Sequence, residues 1–361
     1  MNSTSPVLID SYPHRGTPLT AEDVERIAAA ITATHAATTR TVYASAWRRW
    51  ERWCTHRGIA PLGEEGPGAG RRGADPVAVC AYLAETAADG LSAATVDLAC
   101  SAIGYHHRCR DLTDPTATVA VRQVRRGLHR ILGTAPRRPA HPVGPEEIGQ
   151  LLAAIDRDSP VGARDAAVIL LGFAGALRRS ELANLTLADL EPKPGGLLLR
   201  LRRSKTDPDA RGQVVGIAPG RHRDTDPITA LDAWLAHRGP GQGPVFTSFR
   251  NGAPPLQPIS GNVVTSVVKR YAEAAGLTGR ITAHSLRAGH ATTAAMAGVG
   301  IDRIAAQARH RRIDILIDRY IRPAQALHAT SSRHLGCDRF AFVTRTMWSL
   351  CETSMLAGVL H

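Results

Sequence analysis

One tyrosine near the end of the chain stands among arginines and histidines, a combination suited to chemistry on a phosphate. Tyr320 lies in the segment RYIR, after His310, and it is the only one of the six tyrosines that follows His284 and Arg287. A phenolic oxygen can attack a phosphorus centre, and guanidinium groups can bind phosphate oxygens in bidentate fashion. The alternative interpretation of Tyr320 is an aromatic residue of the core.

Other polar residues of chemical interest precede this tyrosine. Arg178 and Glu181 follow an apolar segment in the sequence GALRRSELANL, where a surface arginine is not expected. His284 and Arg287 are three residues apart, so they share one face of a predicted helix. Lys205 lies in the turn-rich stretch RRSKTD and is one of only three lysines among the 44 basic residues.

Each of these signals has an ordinary structural explanation when it is taken alone. An ion pair at a helix end explains Arg178 and Glu181, and a hairpin lysine explains Lys205. A pair such as His284 and Arg287 arises by chance in a basic protein. The order in which the residues occur carries more information than any one of them.

This order resembles the catalytic signature of the tyrosine recombinase (phage integrase) family. The matching series is Arg178, Lys205, His284, Arg287, His310 and Tyr320. The surrounding sequence motifs also match, namely G-x-L-R-x-S-E-L, H-x-L-R before a run of small residues, and R-Y-I-R. Upstream, the pattern TxxxYxxxWxxWxxWC is similar to the core-binding domain of that family, so the resemblance covers roughly residues 20–325.

The resemblance implies a site-specific DNA recombinase or integrase that cleaves and rejoins strands through a covalent 3′-phosphotyrosine. Arg178 and Arg287 would clamp the non-bridging oxygens of the phosphate, with His284 and His310 as further donors. Tyr320 would be the nucleophile. Removing one donor of this kind commonly costs on the order of 10²–10³ in rate.

Lys205 and Glu181 have supporting roles in this interpretation. Lys205 would be the general acid that protonates the leaving 5′ oxygen, because a lysine in a cationic site is expected to have a lowered pKa. Glu181 would orient Arg178 or a histidine. No carboxylate cluster suited to Mg²⁺ accompanies the set, so we predict no metal. A covalent link conserves the energy of the broken bond, so we predict no ATP requirement and no other cofactor.

Two features depart from the family pattern. Arg309 stands where the family usually has glycine before the second histidine, and the interval from His310 to Tyr320 is one residue longer than the commonest pattern. We expect a mobile helix or loop in this interval, which would tolerate the extra residue. The tail after Ala329 does not resemble the family closely. It is either a helix that docks on a neighbouring protomer or an unrelated tail.

The elements that must position these residues are predicted from apolar periodicity and capping residues. Residues 20–133 read as helices that begin near Thr20, Asp75 and Ser92, with one more over 119–132. Family resemblance implies an α-helical core-binding domain of the SAM-like bundle type there. It also implies a mainly α, α+β catalytic domain with a small antiparallel sheet, the DNA breaking-rejoining enzyme fold. Strands are predicted at 197–201 and 213–217, and a buried core helix at 165–177.

The length of 361 residues predicts two domains, because one compact core rarely grows so large. We assign 1–19 to a flexible arm, 20–133 to a helical DNA-binding domain, 134–144 to a proline-rich linker, 145–329 to the catalytic domain and 330–361 to a tail. The helical domain is either a DNA-contacting module or a solvated bundle. The arginines predicted to contact DNA are Arg48, Arg49, Arg52, Arg122, Arg125, Arg126, Arg137, Arg138 and Arg203.

The charge balance points to a polyanionic partner. The 44 basic and 32 acidic residues give a formal charge of +12, which favours double-stranded DNA. The resemblance implies a homotetramer on paired recombination sites.

Neither a secretion signal nor a membrane-spanning run is evident, so we predict a cytoplasmic, nucleoid-associated protein without a membrane partner. Two alternatives stay open: a catalytically decayed sequence-specific DNA-binding protein, and a topoisomerase-like or resolvase-like enzyme with the same chemistry but no synapsis.

Overall fold

The computed structural model divides the chain into two compact units, Met1–Arg137 and Arg138–His361. It describes residues 20–34, 36–63, 73–135, 139–202, 212–249, 257–310 and 312–321. None of the helices within these ranges is both long and apolar enough to cross a bilayer.

The described part of the first unit contains five α-helices around a core rich in aromatic residues. They are α1 (Ala21–Ala33), α2 (Ala37–His56), α3 (Pro76–Ala88), α4 (Ala93–Arg108) and α5 (Val119–Leu132). Trp47, Trp50 and Cys54 of α2 are buried in this core, because their spacing of three and four residues puts them on one face of the helix. The predicted caps are confirmed, because Asp75 and Ser92 each accept a hydrogen bond from a backbone N–H in the first turn of α3 and α4.

The described part of the second unit contains eight α-helices and one antiparallel sheet. The helices are α6 (Pro145–Ala153), α7 (Pro160–Ala174), α8 (Arg179–Asn184), α9 (Pro227–Arg238), α10 (Gly261–Ala274), α11 (Ala283–Met296), α12 (Ile301–Ala308) and α13 (Ile313–Leu316). The strands are β1 (Leu190–Lys193), β2 (Gly196–Leu201) and β3 (Gln213–Ile217), in the order β1-β2-β3. Leu199 pairs with Leu190 on one side and Val215 on the other. The two predicted strands are confirmed, and β1 is additional.

The bounds of the core helix α7 differ from the prediction of 165–177. The helix begins earlier because Ser159 accepts a hydrogen bond from the Gly162 N–H and Pro160 occupies the first helical position. It ends earlier because Ala176 has a φ of +46°, a left-handed conformation that no α-helix accommodates. The chain therefore turns sharply before Arg178, which starts the next helix.

A short extended segment lies along the start of α11. The His141 N–H donates to the Arg280 carbonyl at 3.0 Å, and the Val143 N–H donates to the Ser285 carbonyl at 3.2 Å. Val143 is fully buried. A Cβ on Gly289 would lie only 1.8 Å from the Val143 carbonyl oxygen, so this helix position requires glycine.

Candidate active site

Arg178 and Glu181 are brought together by the start of α8. The Arg178 N–H donates to Glu181 Oε2 at 2.8 Å, and Arg178 Nη1 donates to Glu181 Oε1 at 2.5 Å. A second arginine, Arg309, donates from Nη2 to Oε2 of the same carboxylate at 2.7 Å. Of the two kinds of partner considered for Glu181, arginine or histidine, these contacts are with arginine.

The Glu181 carboxylate is buried and ionised. Burial alone would raise the pKa of Glu181, but the charges of Arg309 and Arg178 and the hydrogen bonds from Arg178 outweigh it and lower the pKa below the usual value. The residue is 3% exposed, so this charge interacts with its partners in a poorly solvated environment. The carboxylate can thus hold two guanidinium groups at fixed positions.

Arg309 lies at the C-terminal end of α12 in a left-handed conformation, with a φ of +52°. Its guanidinium is buried and donates to three backbone carbonyls, those of Gly175 at 3.2 Å, Ala176 at 2.9 Å and Gln307 at 2.6 Å. Its own carbonyl oxygen accepts from Arg178 Nη2 at 3.1 Å. The sequence gives no sign of this burial, because Arg309 stands in a run of basic residues that reads as surface.

Arg287 projects from the second turn of α11 into the same cluster and is 3% exposed. Its Nη1 donates to the Ala176 carbonyl at 2.6 Å. Burial, followed by the nearby charges of Arg178 and Arg309, lowers the pKa of Arg287 to about 9. The side chain therefore remains a cation at neutral pH.

His284 and Tyr320 meet at the outer side of this cluster. Thr282 caps α11 and accepts from the His284 N–H, which fixes His284 in the first turn. Tyr320 lies in a π-helical turn, Ile317–Ile321, that follows α13. His284 Nε2 is 2.9 Å from Tyr320 Oη. The tyrosine ring packs partly against a small apolar cluster, but its hydroxyl reaches the histidine and is not enclosed in the interior.

His310 completes the group from the residue after Arg309. Its ring centroid is 5.9 Å from that of Tyr320. Burial, followed by the charges of Arg287 and Arg178, lowers the pKa of His310 to about 4, so the ring is neutral at neutral pH. Its Nε2 is buried and has no hydrogen-bond partner within the described ranges. An unsatisfied buried nitrogen of this kind is suited to a ligand atom.

The cluster as a whole carries an excess of positive charge. Arg178, Arg287 and Arg309 contribute three guanidinium groups, and Glu181 contributes one carboxylate, which leaves a formal excess of two positive charges. A phosphodiester under attack gains negative charge on its non-bridging oxygens, and preorganised cations stabilise that charge. The site can therefore bind a phosphate beside a phenolic hydroxyl.

Comparisons with known proteins identify the family. Residues 143–326 match the model of the phage integrase family. An integrase/recombinase xerD homolog of Selenomonas ruminantium is 32% identical over 289 residues, which cover 77% of this chain and 80% of the relative. The chain belongs to the phage integrase family. The family predicted from the residue series is thus confirmed, together with the enzyme class, a tyrosine-type site-specific DNA recombinase. Tyrosine recombinase XerD of Xanthomonas axonopodis pv. citri is 31% identical over 235 residues, 63% of this chain and 72% of that protein.

Solved structures of tyrosine recombinases share the fold. A lambda integrase tetramer bound to a Holliday junction aligns with a TM-score of 0.55 and 18% identity, over 86% of this chain and 83% of that one. The Tn1549 transposon integrase in complex with transposon right end DNA aligns with a TM-score of 0.53 and 17% identity, over 88% and 95% of the two chains. The predicted mainly helical fold with a small antiparallel sheet is confirmed at this level.

The arginines predicted to contact DNA lie on helices α2 and α5 of the recombinase or outside the described residues, and Lys205 also lies outside them. Arg48, Arg49 and Arg52 line a surface pocket on α2 together with Ser45, Glu51 and Thr55. Arg122, Arg125 and Arg126 are exposed on α5, and Arg125 Nε is 3.6 Å from Asp97 Oδ1. Those outside the described residues are Lys205, Arg137, Arg138 and Arg203.

Within the ranges that the structure describes, no cluster of three or more His, Cys, Asp or Glu side chains could hold a metal ion. The acidic residue of the candidate site, Glu181, is engaged by Arg178 and Arg309. The groups of this cluster that could contact a phosphate are arginine, histidine and tyrosine side chains.

Proposed function

We propose that this recombinase cleaves and rejoins DNA strands at specific sites through a covalent 3′-phosphotyrosine formed on Tyr320. One observation carries the proposal. The hydroxyl of Tyr320 lies 2.9 Å from His284 Nε2, at the edge of a cluster that contains the buried cation Arg287. A hydroxyl that can act as a nucleophile thus lies beside a cation that can bind a phosphate, which supports the proposal.

The proposed cleavage forms one bond and breaks another. Tyr320 Oη bonds to the phosphorus, the bond from phosphorus to the 5′ oxygen breaks, and His284 Nε2 stands where it can take or hold the phenolic proton. Lys205, which lies outside the described residues, is proposed to protonate the 5′ oxygen. In rejoining, a 5′-hydroxyl attacks the phosphotyrosine and the phenol is restored. The linkage conserves the energy of the original bond, so the proposal requires neither ATP nor a metal.

Three side chains are proposed to stabilise the charge that develops on the phosphate. Arg178 and Arg287 bind the non-bridging oxygens, and the buried Nε2 of His310, which has no partner among the described residues, donates a further hydrogen bond. Because Arg287 and Glu181 are nearly inaccessible to water, these interactions act in a poorly solvated site and gain strength. Each donor is expected to contribute on the order of 10²–10³ in rate.

Binding to duplex DNA and assembly on it belong to the same proposal. The arginines of α2 and α5 supply phosphate contacts, which make affinity strongly dependent on salt. We propose a homotetramer on paired recombination sites. This is supported by the shared fold with the lambda integrase tetramer that was solved on a Holliday junction.

A nicked suicide substrate tests the proposal. The full chain is incubated with a pool of nicked duplex oligonucleotides of randomised sequence, and covalent adducts are separated on a denaturing gel and sequenced. We expect adducts with the wild-type protein and none with Tyr320→Phe. The matched control is Tyr271→Phe, which alters another tyrosine of the same unit, one whose hydroxyl donates to Asp165. Adducts in Tyr320→Phe, or their absence in the wild type, contradict the proposal.

Adduct formation, combined with DNA binding and plasmid assays, separates the two alternatives. A catalytically decayed DNA-binding protein shifts the oligonucleotides on a native gel but gives no adduct. An enzyme of the topoisomerase or resolvase type gives the adduct and relaxes a supercoiled plasmid, but yields no product that joins two selected sites. The recombinase proposed here yields the joined product as well.

A further inference from the structure

We propose that Arg309 is a positioning residue for strand cleavage, which holds Arg178 in the orientation that the phosphate requires. The inference deepens the proposed function and rests on it. The Arg309 guanidinium is engaged by backbone carbonyls and by Glu181. Its effect on the reaction is therefore exerted through Arg178.

Arg309 is connected to Arg178 by two routes. In the first, Arg309 Nη2 holds Glu181 Oε2 at 2.7 Å, and the other oxygen of that carboxylate holds Arg178 Nη1 at 2.5 Å. In the second, the carbonyl oxygen of Arg309 accepts directly from Arg178 Nη2 at 3.1 Å. Both terminal nitrogens of Arg178 are thus oriented by groups that depend on Arg309.

The direct route depends on the left-handed conformation of Arg309. At a φ of +52° the carbonyl points toward Arg178, and residues with a Cβ rarely adopt this conformation. The Arg309 side chain compensates by donating to the carbonyls of Gly175, Ala176 and Gln307. The buried guanidinium therefore stabilises the backbone geometry that its own carbonyl uses.

A shared acceptor connects Arg309 with the other proposed phosphate-binding arginine. The Ala176 carbonyl accepts from Arg309 Nη2 at 2.9 Å and from Arg287 Nη1 at 2.6 Å. A shift of Arg309 would consequently disturb Arg287 as well as Arg178. The position one residue before His310 also means that the same shift reaches that histidine.

The charge of Arg309 also stabilises the carboxylate that holds Arg178. Glu181 is buried, and burial by itself opposes its ionised form. Without Arg309 the carboxylate keeps one hydrogen-bonded cation, Arg178, and the charge of nearby Arg287. The carboxylate would then be protonated at a higher pH than in the wild type. Its ion pair with Arg178 would therefore weaken at acidic pH.

The test compares Arg309→Gly with the wild type in the full chain. Glycine adopts a positive φ without strain, so this variant removes the guanidinium and leaves the backbone free to keep its conformation. With a nicked substrate selected from the pool above, we expect the rate of adduct formation to fall on the order of 10–100-fold. Duplex affinity on a native gel should stay within about threefold, because phosphate contacts elsewhere dominate it.

Two further readouts distinguish positioning from a general loss of structure. The acidic limb of the pH–rate profile should move to higher pH in Arg309→Gly, and added guanidinium ion should restore part of the rate. The matched control is Arg303→Ala, which removes an exposed arginine from the same helix and should leave both the rate and the profile unchanged. A slow variant with an unshifted profile and no rescue would show a merely structural role and overturn the proposal.

A second variant covers the case in which Arg309→Gly does not stay folded at the assay temperature. Arg309→Lys keeps a cation near Glu181 but cannot reach the same carbonyls, and an intermediate rate is expected. A rate equal to that of the wild type in whichever variant is folded overturns the role of Arg309 and leaves the proposed function standing. If the wild type itself forms no adduct, the proposed function fails and this inference fails with it.

Discussion

The carbonyl oxygen of Ala176 lies 2.6 Å from Nη1 of Arg287, and Ala176 itself has a left-handed backbone with a φ of +46°. Ala176 is fully buried at the break between α7 and α8. The left-handed conformation thus aims a buried carbonyl at two arginines, because Arg309 donates to the same oxygen at 2.9 Å.

Substitution of Ala176 should separate backbone conformation from burial. A β-branched residue is much less tolerant of positive φ than alanine, so Ala176→Val should lower the free energy of unfolding by about 2 kcal/mol or more. Ala176→Gly relieves the strain but loses one buried methyl group, and these effects of about 1 kcal/mol nearly offset each other. Urea unfolding checks both values. Adduct formation should survive in the glycine variant and fall in the valine variant, and equal activity of the two would contradict this account.

Gly289 and Gly149 form a matched pair of helical glycines in the second unit. Gly289→Ala would place its Cβ against the Val143 carbonyl, so we expect a loss of about 2–3 kcal/mol in the free energy of unfolding. At Gly149 nothing lies within 4 Å of an added Cβ. Gly149→Ala should therefore raise the free energy of unfolding by about 0.5–1 kcal/mol through helix propensity. Thermal and urea unfolding measure both; a destabilised Gly149→Ala would contradict the open space found at this position.

His310 should show a conflict between stability and activity. Its Nε2 is buried without a partner in the described ranges, and replacing such an atom by an apolar group removes an uncompensated desolvation cost. We expect His310→Leu to raise the free energy of unfolding by about 1 kcal/mol and to slow adduct formation on the order of 10²-fold. His222→Leu, at an exposed position, serves as the control and should change neither quantity. A less stable but fully active His310→Leu would argue against the role given to this nitrogen.

The helical unit should lose stability in mild acid because it buries neutral histidines. His106 stacks on Trp47 with ring centroids 4.4 Å apart, and burial lowers the pKa of His106 to about 4. His107 Nε2 accepts from the Ala74 N–H at 3.0 Å, a bond that protonation would abolish. Since the folded pKa lies below the unfolded value of about 6.5, the stability is fully present above pH 6.5 and is lost as the pH falls toward 4.

His106→Phe tests this pH dependence while it keeps a ring against Trp47. The loss of unfolding free energy between pH 6.5 and pH 4 is followed by tryptophan fluorescence. This loss should be about 1–2 kcal/mol smaller in the variant than in the wild type. Identical pH dependences would mean that His106 does not titrate in this range.

The arginines of α2 should contribute to affinity through phosphate contacts. Arg48 is exposed on the helix and lines the pocket that also contains Arg49 and Arg52. In a titration of a fluorescent duplex at increasing KCl, Arg48→Ala should reduce the slope of log K against log[salt] by about 0.9. Arg26→Ala, which removes an arginine ion-paired with Glu22 on α1, is the control and should leave the slope unchanged. An unaltered slope for Arg48→Ala would favour the solvated-bundle interpretation of this unit.

Local signals in the sequence predict most of the helices and two of the strands. Asp75 and Ser92 mark helix starts because a cap needs only a side-chain oxygen near the first turn, which the local sequence determines. Strand β1 is not predictable from its sequence LEPK, which has no alternation of apolar residues. It forms because Leu190 and its neighbours pair with β2, which is a tertiary effect.

The candidate site shows the same division between local and long-range information. The order of motifs singled out His284, His310 and Tyr320, and the fold brings all three together. Arg309 could not be predicted as a buried partner of Glu181. Its burial depends on a left-handed residue at the end of α12 and on carbonyls supplied by the break after α7, neither of which a residue pattern reveals.

The π-helical turn that carries Tyr320 makes the distance along the chain between the last histidine and the tyrosine adjustable. Such a turn takes up one residue more than an α-helical turn, so Ile317–Ile321 can absorb the additional residue in this interval while the hydroxyl stays beside His284. Insertions or deletions here need not change the reach of the phenol. In divergent members of the family, the attacking residue is therefore better recognised by where its oxygen arrives in space than by counting positions from the preceding motif.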